Sequence, residues 1–140
     1  MFIDLKEKMV SVLSRIRERG YGPSEAVEHI IQSLGSRYND VSKVNVLTPS
    51  LLADVIYTVY QEETSPLEIA SILRALGYAA RDVATGLHQQ FPQLAPDEVG
   101  SFIMDDDVYP GIDRKILMDA LSYAGFTRQE CDQAAGILYS

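Results

Sequence analysis

The chain has 140 residues, 46% of them hydrophobic and 23% charged, enough to bury a full core without staples. Its one cysteine, Cys131, excludes an internal disulfide framework and a cysteine-built zinc site. The net charge of −8 is uneven: residues 1–47 hold seven basic and six acidic residues, residues 48–140 five and fourteen. An acidic body repels the phosphate backbone, so no nucleic-acid partner is expected. No apolar run reaches the ~18 residues of a membrane helix, so no membrane partner is expected either. The opening residues carry no basic leader and no cleavage site, and a cytoplasmic location is expected.

Apolar residues recur at helical spacing, with Gly and Pro at the boundaries. The first helix is predicted from Ile3 to Arg19, on a stripe of Leu5, Met9, Val12, Leu13 and Ile16, with Gly20 as the left-handed stop. Its Lys6, Lys8, Arg15, Arg17 and Arg19 alternate with Asp4, Glu7 and Glu18, the pattern of a solvated face. Pro23 opens a second helix carrying Ala26, Val27, Ile30, Ile31 and Leu34, and Gly35 ends it. Residues 36–47 read as an ordered connection.

Thr48-Pro49 caps a third helix with Leu51, Leu52, Val55, Ile56 and Val59 on its face. Tyr57 and Tyr60 are read as lying off that stripe. Ser65-Pro66-Leu67-Glu68 is a capping box, in which Glu68 is expected to reach back to Ser65. The fourth helix carries Ile69, Ile72, Leu73 and Leu76 and stops at Gly77. A fifth runs from Ala80 to Phe91. Pro96 starts a sixth, with Val99, Phe102 and Ile103 inward. A seventh runs from about Asp113 to Ala124, stopped by Gly125, and an eighth from about Arg128 to Tyr139.

Three segments share one pattern: an apolar helix, then Gly-aromatic, then an acid opening the next apolar helix. Gly20-Tyr21, Gly77-Tyr78 and Gly125-Phe126 mark the three copies. Each aromatic is expected to tuck under both helices as an anchor. Each acid (Glu25, Asp82, Glu130) sits in a first turn, where the macrodipole favours it. The preceding helix repeats as well, Pro49, Leu52, Val55 and Ile56 matching Pro96, Val99, Phe102 and Ile103.

The expected architecture is one all-α domain over 1–140, of seven to eight helices in stacked antiparallel hairpins. Residues 48–91 and 95–139 form two copies of a unit of about 47 residues, close to HEAT or armadillo repeats in length, and 1–35 form a partial copy. The turns at Leu76-Gly77-Tyr78 and Ala124-Gly125-Phe126 also resemble the Gly-aromatic loop of ubiquitin-associated domains. In that family the loop contributes to an apolar partner surface, so the resemblance implies that these six residues face a partner. The family's Met before the glycine is replaced here by Arg19, Leu76 and Ala124.

Asp105-Asp106-Asp107 has oxygens at alternate positions, but Val108-Tyr109-Pro110-Gly111 breaks the register of a calcium loop, leaving a solvated acidic turn. His29 and His88 have no ligand partner at helical spacing and read as surface or boundary residues. Cys131 reads as a small buried hydrophobe. No phosphate loop, nucleophile elbow or paired catalytic carboxylates occur. No enzyme activity, metal or other cofactor is expected.

The expected function is a protein–protein interaction module, with Tyr57, Tyr60, Leu76, Tyr78, Tyr109, Tyr123 and Phe126 as candidate partner contacts, since aromatics are enriched at hot spots. The alternative is an acidic inhibitor or immunity-type protein that blocks a basic site with Asp97, Glu98, Asp105, Asp106 and Asp107. A homo-oligomer is compatible with either.

Overall fold

The computed structural model describes residues 5–33 and 47–139, all in helices and their connections, with no strand among them. The expected start at Ile3, the inward Leu34, the stop at Gly35 and the connection 36–46 lie outside the described residues. Eight α-helices are described: α1 Leu5–Glu18, α2 Pro23–Ser33, α3 Pro49–Tyr60, α4 Pro66–Ala75, α5 Ala80–Gln90, α6 Pro96–Ile103, α7 Arg114–Ala124 and α8 Arg128–Leu138. A 3-10 turn, Gln61–Glu63, follows α3.

Local chemistry sets most helix starts. The Thr48 hydroxyl accepts from the Leu51 N–H, Ser65 from Glu68, and Thr127 from Glu130, each at 3.1 Å. The Asp113 carboxylate accepts from the Lys115 N–H at 3.1 Å. These bonds satisfy amides that a helix start otherwise leaves open. Around Thr127 the box is reciprocal, because Glu130 accepts from the Thr127 N–H at 2.9 Å. The Thr127 backbone N–H, and after it the Thr127 side chain, hold the Glu130 carboxyl below its usual range. At α4 the return arm differs from expectation: the Glu68 carboxylate accepts from the Thr64 hydroxyl at 2.7 Å. A second hydroxyl one residue upstream is a competing donor.

The helices pack in two rows. α1, α3, α5 and α7 touch in succession, and α4, α6 and α8 succeed one another behind them. α2 rests on α1 and α3. Between the rows lies a continuous core, and Leu13, Ile31, Leu52, Ile56, Ile69, Leu73, Leu76, Leu87, Ile103, Leu117 and Leu121 are almost wholly excluded from solvent. Burying a side chain of this size contributes roughly 1.5–3 kcal/mol. Ile16, Tyr21 and Phe102, expected in the core, are half-buried at its margin. Two helical glycines bring neighbours close. A Cβ on Gly86 would lie 3.2 Å from both Leu73 Cδ1 and the Pro49 carbonyl, and one on Gly100 would lie 2.6 Å from Leu138 Cδ1.

Candidate interaction surface

Gly20, Gly77 and Gly125 all have left-handed φ, at +93°, +93° and +116°. Residues with a Cβ are strained there. The three turns thus share a left-handed glycine, and the helices on either side of each touch one another.

Two of these turns are clasped by a tyrosine from a later part of the chain. At the first, the Tyr60 hydroxyl donates to the Tyr21 carbonyl at 2.8 Å, and the Arg17 guanidinium lies 5.8 Å from the Tyr60 ring centre. At the second, the Tyr109 hydroxyl donates to the Tyr78 carbonyl, and Arg74 lies 4.5 Å from the Tyr109 ring centre. In each case the arginine sits three residues before the glycine, and the accepting carbonyl one residue after it. The arginines are anchored differently. Arg17 pairs with the Glu63 carboxylate, which raises its pKa, while Arg74 Nε donates to the Val108 carbonyl at 3.1 Å. At the third turn the Phe126 carbonyl takes the Cys131 thiol at 3.9 Å in place of a tyrosine.

This geometry decides which candidate contacts face outward. Tyr60, Leu76, Tyr78 and Phe126 are buried in the chain's own core. Leu76 is 0% exposed, and the Tyr78 hydroxyl donates to the buried Leu47 carbonyl. A partner does not reach these side chains in this fold, and the partner-facing role implied by the ubiquitin-associated resemblance does not extend to Leu76, Tyr78 and Phe126. Their position follows the other expectation, an anchor tucked beneath the hairpin. Gly77 and Gly125 are exposed and Ala124 is half-buried. Tyr60 lies on the α3 stripe rather than off it, one turn beyond Ile56. Tyr57 is half-buried, its ring edge-on to Phe91 at 5.1 Å. Tyr109 is half-buried in its clasp.

Tyr123 alone of the seven stands well into solvent, at 61% exposure. It borders an open groove of about 320 Å³ between the start of α5 and the outer face of α7. Buried Ala80 and Ala120 line its floor, and exposed Ala79, Arg81, Ile116, Asp119 and Tyr123 line its sides. Ile116 is 55% exposed, and Arg81 stacks on Tyr123 at 5.2 Å. Residues 116, 119, 120 and 123 share one side of α7 by helical spacing. Ile116, Arg81, Asp119 and the three alanines were not expected from the sequence. The available signal was in α7, whose apolar positions 116, 117, 120, 121 and 123 cover more of the helix than one core face needs.

The five candidate acids divide between the two ends of α6. Asp97 and Glu98 lie in its first turn, and Glu98 accepts from the Ala95 N–H at 2.9 Å. Asp105, Asp106 and Asp107 follow its last turn, where Asp105 accepts from the Asp107 N–H at 3.0 Å. Asp106 and Asp107 are exposed. No group of three or more His, Cys, Asp and Glu placed to hold a metal ion occurs among the described residues. His29 is exposed and lies 4.7 Å from the Tyr21 ring, and half-buried His88 lies 4.1 Å from the Phe126 ring. No helix among the described residues is long and apolar enough to cross a membrane.

No family model, no curated protein and no solved structure matches this chain.

Proposed function

We propose that the chain is a non-enzymatic protein–protein interaction module, built from repeated helical hairpin units and acting in the cytoplasm. The observation that carries this reading is the α5–α7 groove, where a large aliphatic and a large aromatic side chain stand exposed around an alanine floor. Such side chains next to a concavity are the anchors that partner surfaces use. The repeat unit is supported by the two matching clasps, each combining Arg, Tyr and a carbonyl at the same offsets from a left-handed glycine. It is supported further by packing: α3, α4 and α5 all touch one another, as do α6, α7 and α8. A stack of such units presents helix faces as a docking surface.

The test is affinity capture from the source cell's lysate with the wild-type chain and Tyr123→Ser, washed at low and high salt. The reading expects a protein that survives high salt on the wild-type chain and is lost from the variant. Capture that Tyr123→Ser leaves unchanged would overturn the groove as the contact surface.

The acidic-inhibitor reading draws on exposed Asp106 and Asp107, which have no ion-pair partner among the described residues. Under it, binding collapses with salt and is lost in Asp106→Asn/Asp107→Asn. The separation of the five acids by the length of α6 weighs against one concentrated acidic face.

A further inference from the structure

We infer that the α5–α7 groove is a self-association site, in which two copies of this chain pair about a twofold axis along antiparallel α7 helices. This rests on the interaction-module reading and names the occupant of its groove. Three features point to a second copy. The first is shape: each chain carries the protruding Ile116 and Tyr123 beside its own shallow alanine floor. A surface with both knobs and a hole is self-complementary, as a twofold interface requires. The second is register. A twofold axis passing between Asp119 and Ala120 sets Ile116 of one copy against Tyr123 of the other.

The third is charge. The groove's rim carries one cation, Arg81, and one anion, Asp119. Neither has an ion-pair partner within the chain among the described residues. Near such an axis the two Asp119 carboxylates approach each other, and each is neutralised by Arg81 of the opposite copy. An unlike partner would need this arrangement built separately, whereas a twofold axis generates both pairs from one.

The exposed apolar surface is small, so the pair is weak, in the range of transient interfaces. Two chains of −8 also repel at long range. Raising salt screens both that repulsion and the Arg81–Asp119 pairs while the apolar contact persists, so self-association survives high salt. A salt-dependent basic partner behaves in the opposite way.

The experiment is sedimentation velocity on the purified chain, from about 10 μM to about 500 μM, a span that covers weak association. The expected result is a concentration-dependent shift from the 15.5 kDa monomer toward the dimer, retained at high salt. Tyr123→Ser and Ile116→Ser should each weaken it by about tenfold or more. Arg81→Glu and Asp119→Arg should each abolish it by placing like charges across the axis. Mixing those two variants is the deciding arm. In the mixed pair the introduced glutamate of one variant meets the introduced arginine of the other, and the retained Arg81 meets the retained Asp119. The dimer then reappears only in the mixture, which no contact within one chain can produce. All four positions are exposed, so an unchanged far-UV helical spectrum confirms that the variants fold.

A chain that stays monomeric throughout overturns the second copy as occupant. It leaves the interaction-module reading to its own capture test, in which Tyr123→Ser is read against an unlike protein. A dimer indifferent to Tyr123→Ser and Ile116→Ser, or a mixture of the charge variants that remains monomeric, also overturns this site.

Discussion

Four tyrosine hydroxyls, those of Tyr60, Tyr78, Tyr109 and Tyr139, donate to backbone carbonyls far away in sequence, and removing the first three should cost different amounts. Tyr60→Phe and Tyr109→Phe each remove one part-buried bond to a turn and should lower stability by about 0.5–1.5 kcal/mol. Tyr78→Phe leaves the Leu47 carbonyl unsatisfied inside the core and should cost about 1–3 kcal/mol. Chemical denaturation of the three variants checks the order. Burial also raises the Tyr78 pKa from 10.0 to about 12, and it raises those of Tyr60 and Tyr109. A phenol that holds its proton more tightly when folded adds stability that is complete below pH 10 and is lost as pH climbs toward 12. Between about pH 10 and about pH 12, unfolding midpoints should fall for the wild-type chain and fall less for Tyr78→Phe. The first three contacts span 31 to 39 residues. Nothing local in the sequence marks their partners, which is why Tyr60 read as a surface residue although its place one turn beyond Ile56 was legible.

At the scale of the helix, most of the architecture was written locally. Thr48-Pro49, Ser65-Pro66 and Pro96 each stand where a helix begins, and Gly20, Gly77 and Gly125 where one ends. Capping and left-handed turns depend on residues within one turn of each other, so spacing alone reveals them. The return arm of Glu68 was missed because Thr64 and Ser65 offer two donors within its reach. Glycines separate by role in the same way. Gly136 lies exposed inside α8, and a Cβ there would meet nothing within 4 Å. Gly136→Ala should therefore stabilise by about 0.5–1 kcal/mol. Gly125→Ala should destabilise by about 1 kcal/mol or more, because φ there is +116°. Thermal melts of the two variants should move in opposite directions.

Across the whole molecule, the sequence made the helical class and the core plain but not the surface. Core membership follows periodicity, and Leu13, Leu52, Ile56, Leu73 and Ile103 are all buried as expected. Which apolar residue is left over depends on where neighbouring rows end. Ile116 lies outside because α7 is the last helix of its row, a fact about packing rather than pattern. The same uneven ending separates Tyr123 from the six other candidate contacts. Those six line internal joints, while Tyr123 stands on the face that no later helix covers. The α5–α7 contact is also the most extensive between any two helices described, so the groove rests on a well-supported base.

The sole thiol of the chain also acts as a clock. Cys131 is buried on α8, and burial together with Glu130 and Asp132 pushes its pKa up, so a labelling reagent waits for that helix to lift. The turn before α8 is closed by that weak thiol contact where the turns after α1 and α4 are closed by tyrosines, and the far end of α8 is held by the Tyr139 hydroxyl, which donates to the Ile112 carbonyl at 2.7 Å. The α7–α8 turn should therefore open ahead of the whole. Thiol labelling against denaturant would show this as a rate that stays nearly flat at low denaturant and steepens only when global unfolding takes over. If the rate instead rises with the full unfolding slope from the start, the last hairpin opens only with the rest of the chain.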